Sequence, residues 1–461
     1  MTDTKNCVRI FHMEDIISLC KRRGFIYRGS EVYGGLAGTW DYGPLGVALK
    51  RNIMNAWWSF FVDQHDEMYG VDAAIIMNPA VWRASGHVAT FADPLVEDLE
   101  TKKRYRADHL LKDNNIVAEG LSNEDITKLI RENNIKSPDG NKLSDVRSFN
   151  MMFQTNVGPI QNDDSVAYLR PETAQGIFTN YHNIVDSFYP DLPFGVAQIG
   201  KAFRNEISPR DFIFRSREFE QMEIEYFVDP ENWEENFDKL LKRTHEFLEE
   251  IMQLPTEKIH ELNVPEADRA HYSEKTIDIE FDYPIGREEL MGIAYRTDFD
   301  LTNIENGAKK SMEYRTKDGA KSFVPHVIEP SFGVERLVMA VLTAAYQVDE
   351  IDGQERKVLK LPANLAPIFA TVSPLLKNKP ELVAKAREVF VKLKKQFPGR
   401  INWDDSGNIG KRYRKADEIG VPYCIVVDFD SLENDDITVR YRDTAKQQRV
   451  KIDELIEHLN K

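Results

Sequence analysis

The residues between Phe214 and Val228 alternate in a way that could do chemistry. In a strand, positions i and i+2 share a face. One face would carry Arg217, Phe219, Gln221, Glu223 and Glu225, and the other Glu218, Glu220, Met222, Ile224 and Tyr226. Met222 and Ile224 turn the second face toward a core. The first then presents an aromatic ring followed by carboxylates. Charged alternation usually marks a solvated sheet face. Against that, Arg204 and Glu206 just upstream also stand at i and i+2. Arg, Glu, Phe and Glu displayed together suit a polar ligand.

Two further segments point the same way. In Glu289–Arg296 the alternate positions are Leu290, Gly292, Ala294 and Arg296, two small residues beside an arginine, where a ligand can approach the backbone. In Val324–Ser331 one face carries Val327, Glu329 and Ser331, and Phe332-Gly-Val-Glu-Arg336 follows at once. Arg336 opens an apolar helix, where a cation opposes the helix dipole unless an anion sits nearby. Together these residues imply an anionic ligand, such as a phosphate, beside a cationic one. A Walker A lysine motif is absent, and Gly34-Gly-Leu-Ala-Gly38 is not the dinucleotide fingerprint. His-Glu-x-x-His and paired zinc cysteines are also missing, and no nucleophile–base pair stands out. The chemistry is therefore charge stabilisation and positioning rather than covalent catalysis.

The elements that must position these groups fall into four regions. Residues 1–94 open with a short helix, Met13–Lys21, and a glycine-rich stretch, Gly29–Gly46. A helix over Leu45–Gln64 and a strand over Tyr69–Met77 follow. Residues 95–165 are rich in Lys, Asp, Glu and Asn, with a capping box at Ser122-Asn-Glu-Asp125 and a turn at Ser137-Pro-Asp-Gly140. They read either as an inserted module or as a polar excursion of the main domain. Strands are expected over Val196–Arg204, Phe214–Val228, Thr276–Phe281, Glu289–Thr297 and Val324–Ser331, with a helix over Asn232–Met252, giving an α+β domain. Leu361–Pro367 reads as a linker. Beyond it, strands and helices alternate in a doubly wound α/β unit of about 95 residues, an ordinary domain size.

The 461-residue chain has 42% hydrophobic and 30% charged residues, a globular balance, and its formal charge of −16 excludes nonspecific coating of nucleic acid. Its three cysteines, Cys7, Cys20 and Cys424, are too dispersed for a disulfide framework. Met1–Ile10 lacks the apolar core of a signal peptide, and no segment approaches a membrane span. A cytoplasmic protein is expected.

In several blocks the chain resembles the homodimeric class II glycyl-tRNA synthetases. Glu31-Val-Tyr-Gly-Gly-Leu-Ala-Gly-Thr-Trp-Asp-Tyr-Gly-Pro-Leu-Gly46 is similar to their N-terminal signature, and Arg170-Pro-Glu-Thr-Ala-Gln-Gly176 to a second block. The helix at 45–64 with the strand ending at Pro79 resembles motif 1, the dimer-forming element. Phe203-Arg-Asn-Glu206 with Arg215 through Phe219 resembles motif 2, and Glu329-Pro-Ser-Phe-Gly333 with Glu335-Arg336 resembles motif 3. The resemblance implies a catalytic core built on an antiparallel sheet (1–94 and 166–360), a small inserted module (95–165) and an α/β anticodon-binding domain (361–461). It also implies a homodimer that takes ATP, glycine and tRNA(Gly), forms glycyl-adenylate, and transfers glycine to the tRNA 3′ end.

By position, the resemblance implies that Arg204 stabilises the transition state at the α-phosphate, with Arg336 the second catalytic residue. Glu206 binds the adenine amino group and Phe219 stacks on the ring. Arg215 and Arg336 hold the distal phosphates, and Glu289 helps bind Mg2+. Asn205, Phe214, Leu290, Gly333 and Glu335 complete the ATP site. Glu172, Gln221, Glu223, Glu329 and Ser331 line the glycine pocket, Arg296 pairs with or orients the glycine carboxylate, and Arg106 joins them from near the insertion. Apart from the resemblance, Glu172 is also an ordinary helix-start carboxylate, Glu225 reads as part of a salt-bridged strand face, and Arg296 could instead partner Asp298 or Asp300. Attraction cannot reject larger amino acids, because a methyl group changes apolar binding by only about 1–3 kcal/mol. A crowded pocket must reject them by collision. Gly292 and Ala294 do not fill such a pocket and are expected to make room for the adenylate. Relatives often carry paired cysteines before the stretch matching Tyr105-Arg-Ala-Asp-His109; this chain has none there, so zinc is not expected. Lys411, Arg412, Tyr413, Arg414, Arg440 and Arg442 interleave cations with tyrosine, which suits tRNA contact, although short charge runs are more often solvated helix faces. A non-catalytic relative should have lost Arg204, Glu206 or Arg336, and all three are present. The glycine-type blocks also weigh against a different adenylating ligase.

Overall fold

Pro44 opens the first long helix, α1 (Pro44–Trp58), where its missing N–H costs nothing. Leu49, Ile53 and Trp57 recur every fourth residue and are fully buried, and the helix runs on as a π turn, Ser59–Asp63, that buries Phe61 and Val62. The structure, a computed structural model, describes residues 12–118, 121–160, 162, 165–351 and 353–460. Cys7 and the Met1–Ile10 segment lie outside these. Cys20 and Cys424 are buried and free. The strand expected over Tyr69–Met77 contracts to β1 (Met68–Gly70). Beyond it the Ala73 carbonyl accepts a hydrogen bond from Arg170 at 2.8 Å instead of joining a ladder.

The main sheet continues with β2 (Phe194–Phe203) and β3 (Glu218–Val228), then, after helix α2 (Trp233–Glu246), β4 (Ile259–Asn263), β5 (Lys275–Tyr283), β6 (Gly286–Thr297) and β7 (His326–Gly333). The seven strands lie in the order β4-β5-β6-β7-β3-β2-β1, antiparallel throughout except where β1 joins β2 in parallel. Helix α3 (Val334–Ala345) follows β7 directly. The back of the sheet offers Met222, Ile224, Ile293 and Phe332 to Ile53 and Trp57 of α1 and to Leu337 and Val341 of α3. Burying each such side chain contributes roughly 1.5–3 kcal/mol. This anchored layer leaves the front face free for polar groups.

Residues 92–150 build a small three-stranded sheet, Ala92–Glu97, Arg104–Arg106 and Arg147–Asn150, over a separate core of Val96, Leu111, Ile126 and Ile130. Half of the expected capping box forms. The Ser122 hydroxyl accepts from the Asp125 N–H at 3.1 Å, and the Asp125 carboxylate takes the Ser122 hydroxyl, not its N–H.

A hairpin, β8 (Tyr346–Ile351) and β9 (Gln354–Leu359), leads into the expected linker. That segment is not a loose connection. Leu361, Leu365 and Ala366 are fully buried in the main core. Asn52 of α1 donates to the carbonyls of Leu365 (3.0 Å) and Ala366 (3.1 Å), and Arg400 donates to those of Ala363 and Asn364. Next come β10 (Ala370–Pro374), α4 (Pro380–Gln396), β11 (Ile401–Trp403), α5 (Ile409–Glu418), β12 (Tyr423–Val427), β13 (Asp436–Tyr441), β14 (Gln447–Lys451) and α6 (Leu455–Leu459). The sheet order is β11-β10-β12-β13-β14. Only β10, β11 and β12 are parallel. The last two strands form an antiparallel meander, so the doubly wound expectation holds for the first half alone. The short β13–β14 connection leaves no room for a crossover helix.

Candidate active site

The front face of β3, β6 and β7 floors a cavity of about 480 Å³, a size suited to a small-molecule substrate. Phe219, Gln221 and Glu223 reach it from β3, and Glu329, Ser331 and Gly333 from β7. Strand β6 breaks strict alternation. Its register with β5 slips between Ile279 and Glu280, so Leu290 is the extra residue of a bulge. The bulge reverses the phase and brings Glu289 to the same face as Gly292 and Ala294. Leu290, expected in the ATP site, instead puts its side chain in the core and is fully buried. Gly292 has a local reason to be small: a Cβ there would lie 3.2 Å from an Asp278 carboxylate oxygen. It makes room for a neighbouring acid.

One end of the cavity gathers carboxylates. Glu223 accepts from the Thr173 N–H (3.1 Å) and hydroxyl, from Gln221 Nε2 (2.7 Å) and from the Ser331 hydroxyl (2.7 Å). Burial and the charge of Glu172 push its pKa up, against these bonds. Burial also pushes Glu172 up, but His87, 3.5 Å away, with Arg296 and Arg204, overrides it and holds that carboxylate below the ordinary range. His87 was invisible to the motif reading, because it acts on a carboxylate contributed by a different segment; Thr173 lies inside the Arg170–Gly176 block, but its partner Glu223 stands on β3. Arg296 does not line the cavity. It is 1% exposed, donates twice to Asp300 (2.7 and 3.0 Å) and pairs with Glu329. The glycine-carboxylate expectation gives way to the structural alternative, with Arg296 fixing Glu329 from below.

Glu225 also departs from expectation. It is not part of a salt-bridged face. It is fully buried, and neither carboxylate oxygen has a hydrogen-bond partner among the described residues. Burial, then the charge of Glu329, raises its pKa well above the usual carboxylate range. Burial also raises Glu329, but Arg296 pairs with Glu329 and opposes that shift, whereas Glu225 has no such partner among the described residues and is the acid held neutral. The unfolded chain ionises this group near its ordinary pKa, whereas the folded chain keeps it neutral. Folding stability is therefore lost as pH rises through that window. Glu225→Gln should be more stable than wild type at neutral pH, the gain growing by about 1.4 kcal/mol per pH unit across the window and vanishing at low pH. Urea denaturation from pH 4 to 8 measures this, and a pH-independent gain would contradict it.

The other end gathers arginines. The Arg204 guanidinium sits 5.2 Å from the Phe219 ring and 5.5 Å from the Phe91 ring, with Nε donating to the Pro171 carbonyl at 3.1 Å. Its terminal nitrogens make no hydrogen bond among the described residues. Arg336 lies over Phe214 at 4.6 Å and pairs with Glu289 at 2.9 Å, which holds that carboxylate below its ordinary pKa. Asp278, which the strand reading passed over, faces the same space. Burial and Glu289 push it up to about 7. Two neighbouring carboxylates beside Arg336 are a donor set that suits Mg2+, which takes one or two carboxylates and completes its shell with other oxygen ligands and water. Among the described residues no group of three or more His, Cys, Asp or Glu side chains could hold a metal ion by itself.

Glu206 and Arg215 line this end too. Arg217 donates to the Glu206 carbonyl at 2.9 Å and to the Ala37 carbonyl at 2.8 Å, tying the glycine-rich loop to the site. Gly38 allows that approach, with φ of +72° and a position where a Cβ would lie 2.5 Å from Pro209. Asn205 does not line the cavity, and its N–H is taken by the Met151 carbonyl at 2.8 Å. Glu335 reaches the cavity wall, but its carboxylate is held by Lys50 (3.0 Å) and the Glu220 N–H (2.8 Å), a strut joining α1, β3 and α3. Arg106 reaches the cavity from the small sheet, but its charge partners are Asp93 and Asp108, both at 2.6 Å, and then Glu206. It stands at the arginine-rich end, beside Glu206 and Arg215.

The basic runs near the C-terminus separate into two kinds. Arg412, Arg440 and Arg442 are buried. Arg412 donates to the Pro374, Asp405, Ser406 and Gly407 carbonyls, Arg440 makes a two-pronged pair with Asp417 (2.9 and 3.0 Å), and Arg442 donates to the Gly420 carbonyl. These three are structural, and the expectation that they touch tRNA is withdrawn. Lys411 and Arg414 are exposed, and Tyr413 is half-buried with Arg440 4.7 Å from its ring.

Comparison with known proteins adds to this geometry. A model of the tRNA synthetase class II core domain (G, H, P, S and T) matches residues 153–345, and one of the anticodon binding domain matches residues 370–461. A glycine–tRNA ligase of Deinococcus radiodurans is 48% identical over 96% of this chain and 97% of its own length. Those of Chlorobaculum tepidum and Clostridium kluyveri are 44% and 46% identical, over 97% and 96% of this chain and 99% and 96% of their own lengths.

Proposed function

The chain belongs to the glycine–tRNA ligase family, and we propose that it activates glycine with ATP and transfers the glycyl group to the 3′ end of tRNA(Gly). What carries this reading is one cavity whose acidic end, Glu172, Glu223 and Glu329, suits an ammonium group while its arginine end, Arg204 and Arg336, suits phosphates. In the first step a glycine carboxylate oxygen attacks the α-phosphorus, and the bond to the β-phosphate breaks to release pyrophosphate. Arg204 meets the charge that builds on the α-phosphate, and Arg336 with Arg215 holds the departing phosphates. Phe219 stacks on the adenine and Glu206 receives its amino group. In the second step a tRNA ribose hydroxyl attacks the glycyl carbonyl, and AMP leaves with the electron pair of the broken bond. Mg2+, when bound, would be held by Glu289 and Asp278 and would neutralise phosphate charge.

Residues 361–461 would engage the anticodon end of the tRNA, with Lys411 and Arg414 supplying exposed charge. Residues 95–165 form an insertion beside the ATP end. Among the described residues no helix is long and apolar enough to cross a membrane, and the protein acts in the cytoplasm. A homodimer is supported by the glycine-rich loop, where Val32, Tyr33 and Leu36 are 94%, 92% and 57% exposed, an apolar cluster that a second copy would cover. Sedimentation should give twice the 53.2 kDa chain mass, and Val32→Asp with Tyr33→Asp should return the single mass. A monomeric wild-type protein would refute the dimer. The function itself is tested by glycine-dependent exchange of pyrophosphate into ATP with magnesium present. Folded protein that supports no exchange would sink this reading.

A further inference from the structure

Rejecting an amino acid larger than glycine needs a wall that does not yield. The floor of the acidic end is a sheet carrying Glu223, Glu329 and Ser331, whose carboxylates are there to attract an ammonium group. The segment 264–274 lines the remaining side and contributes Tyr272. Three observations set this ring apart. Its face lies against the Arg296 guanidinium, 3.8 Å from ring centroid to central carbon, and Arg296 is itself locked by Asp300 and Glu329 and backed by Phe178 at 5.4 Å. Phe299 supports the ring at 6.3 Å and the adjacent His271 at 5.2 Å. The segment is pinned at its end, with the Glu274 N–H on the Tyr295 carbonyl at 2.9 Å and the Ser273 hydroxyl on the Lys275 carbonyl at 2.9 Å, and Arg269 bridges back to the Val264 carbonyl at 2.9 Å. A glutamate can swing on its side-chain torsions. A ring clamped on an immobile cation has nowhere to go.

Resting on the glycine-activating reading above, we propose that Tyr272 is the steric wall that excludes a Cβ substituent, and so sets the choice of glycine over alanine. The ring, not the hydroxyl, does this, so a phenylalanine should serve equally well.

The test compares kcat/KM for glycine-dependent and alanine-dependent ATP–pyrophosphate exchange in wild type, Tyr272→Phe, Tyr272→Leu and Tyr272→Ala. The ratio between the two amino acids does not depend on the fraction of active protein. Tyr272→Phe should keep the wild-type ratio. Tyr272→Ala should lower it by roughly tenfold or more, through gained alanine activation relative to glycine, and Tyr272→Leu should fall between. Ratios within twofold of wild type in both Tyr272→Ala and Tyr272→Leu would overturn the proposal. Loss of exchange with both amino acids in Tyr272→Leu would overturn it equally, because a wall is not needed to bind the smaller substrate. Absence of glycine-dependent exchange in the wild type would instead strike the functional reading on which this rests.

Discussion

Arg204→Ala should lower glycine-dependent ATP–pyrophosphate exchange by about 10²–10³-fold, the usual cost of removing one preorganised donor to a transition-state charge. The loss should fall mainly on kcat, because the group is built to meet charge that develops during attack rather than charge already present. Preorganisation is visible: two aromatic rings, Phe91 and Phe219, face the guanidinium, and its one internal hydrogen bond uses Nε. The forked end is left for a ligand. Arg204→Lys should recover little, since an ammonium cannot lie flat against an aromatic ring or present two parallel donors. Exchange at the wild-type rate in Arg204→Ala would remove Arg204 from the reaction.

Asp417→Ala should cost about 3–5 kcal/mol of stability, the penalty for leaving buried charges without their partner. Asp417 is 1% exposed and accepts two bonds from Arg440 and one, at 3.2 Å, from Arg356. Arg356 belongs to the β8–β9 hairpin and Arg440 to β13, so one carboxylate holds the hairpin and the C-terminal sheet to α5. Its loss strands the buried Arg440 guanidinium, while Arg356 loses one bond and retains Asp349. Urea denaturation followed by far-ultraviolet circular dichroism should show an earlier transition. At low denaturant the cavity is untouched, so glycine-dependent exchange should persist while tRNA charging falls. A midpoint unchanged from wild type would show that the triad contributes nothing.

What could be read in advance follows from what is local. Alternation along β3 placed Phe219, Gln221 and Glu223 opposite Met222 and Ile224, and the structure has those faces, because a strand's period is fixed by its backbone. The same rule failed on β6, where the bulge at Leu290 depends on how β5 pairs with it. Alternation alone put Glu289 and Arg296 on opposite faces. Arg412, Arg440 and Arg442 looked like a nucleic-acid surface because a basic run shows its charge but not the internal carbonyl or Asp417 that consumes it. Glu225 was expected to have a salt bridge, yet the cation that acts on it, Arg296, is already committed to Asp300 and Glu329. Tyr272 carried no signal at all. Its meaning comes from a guanidinium that lies beyond a strand and a turn in the chain.

The buried segment at 361–367 turns the molecule into a gauge. Its carbonyls are gripped from α1 on one side and by Arg400 on the other, so the span between the catalytic cavity and the C-terminal sheet is a set length rather than an average over a swinging tether. A rod-like partner that touched both ends would be measured as well as bound. One whose two ends are spaced wrongly can engage the far sheet and still miss the reaction centre.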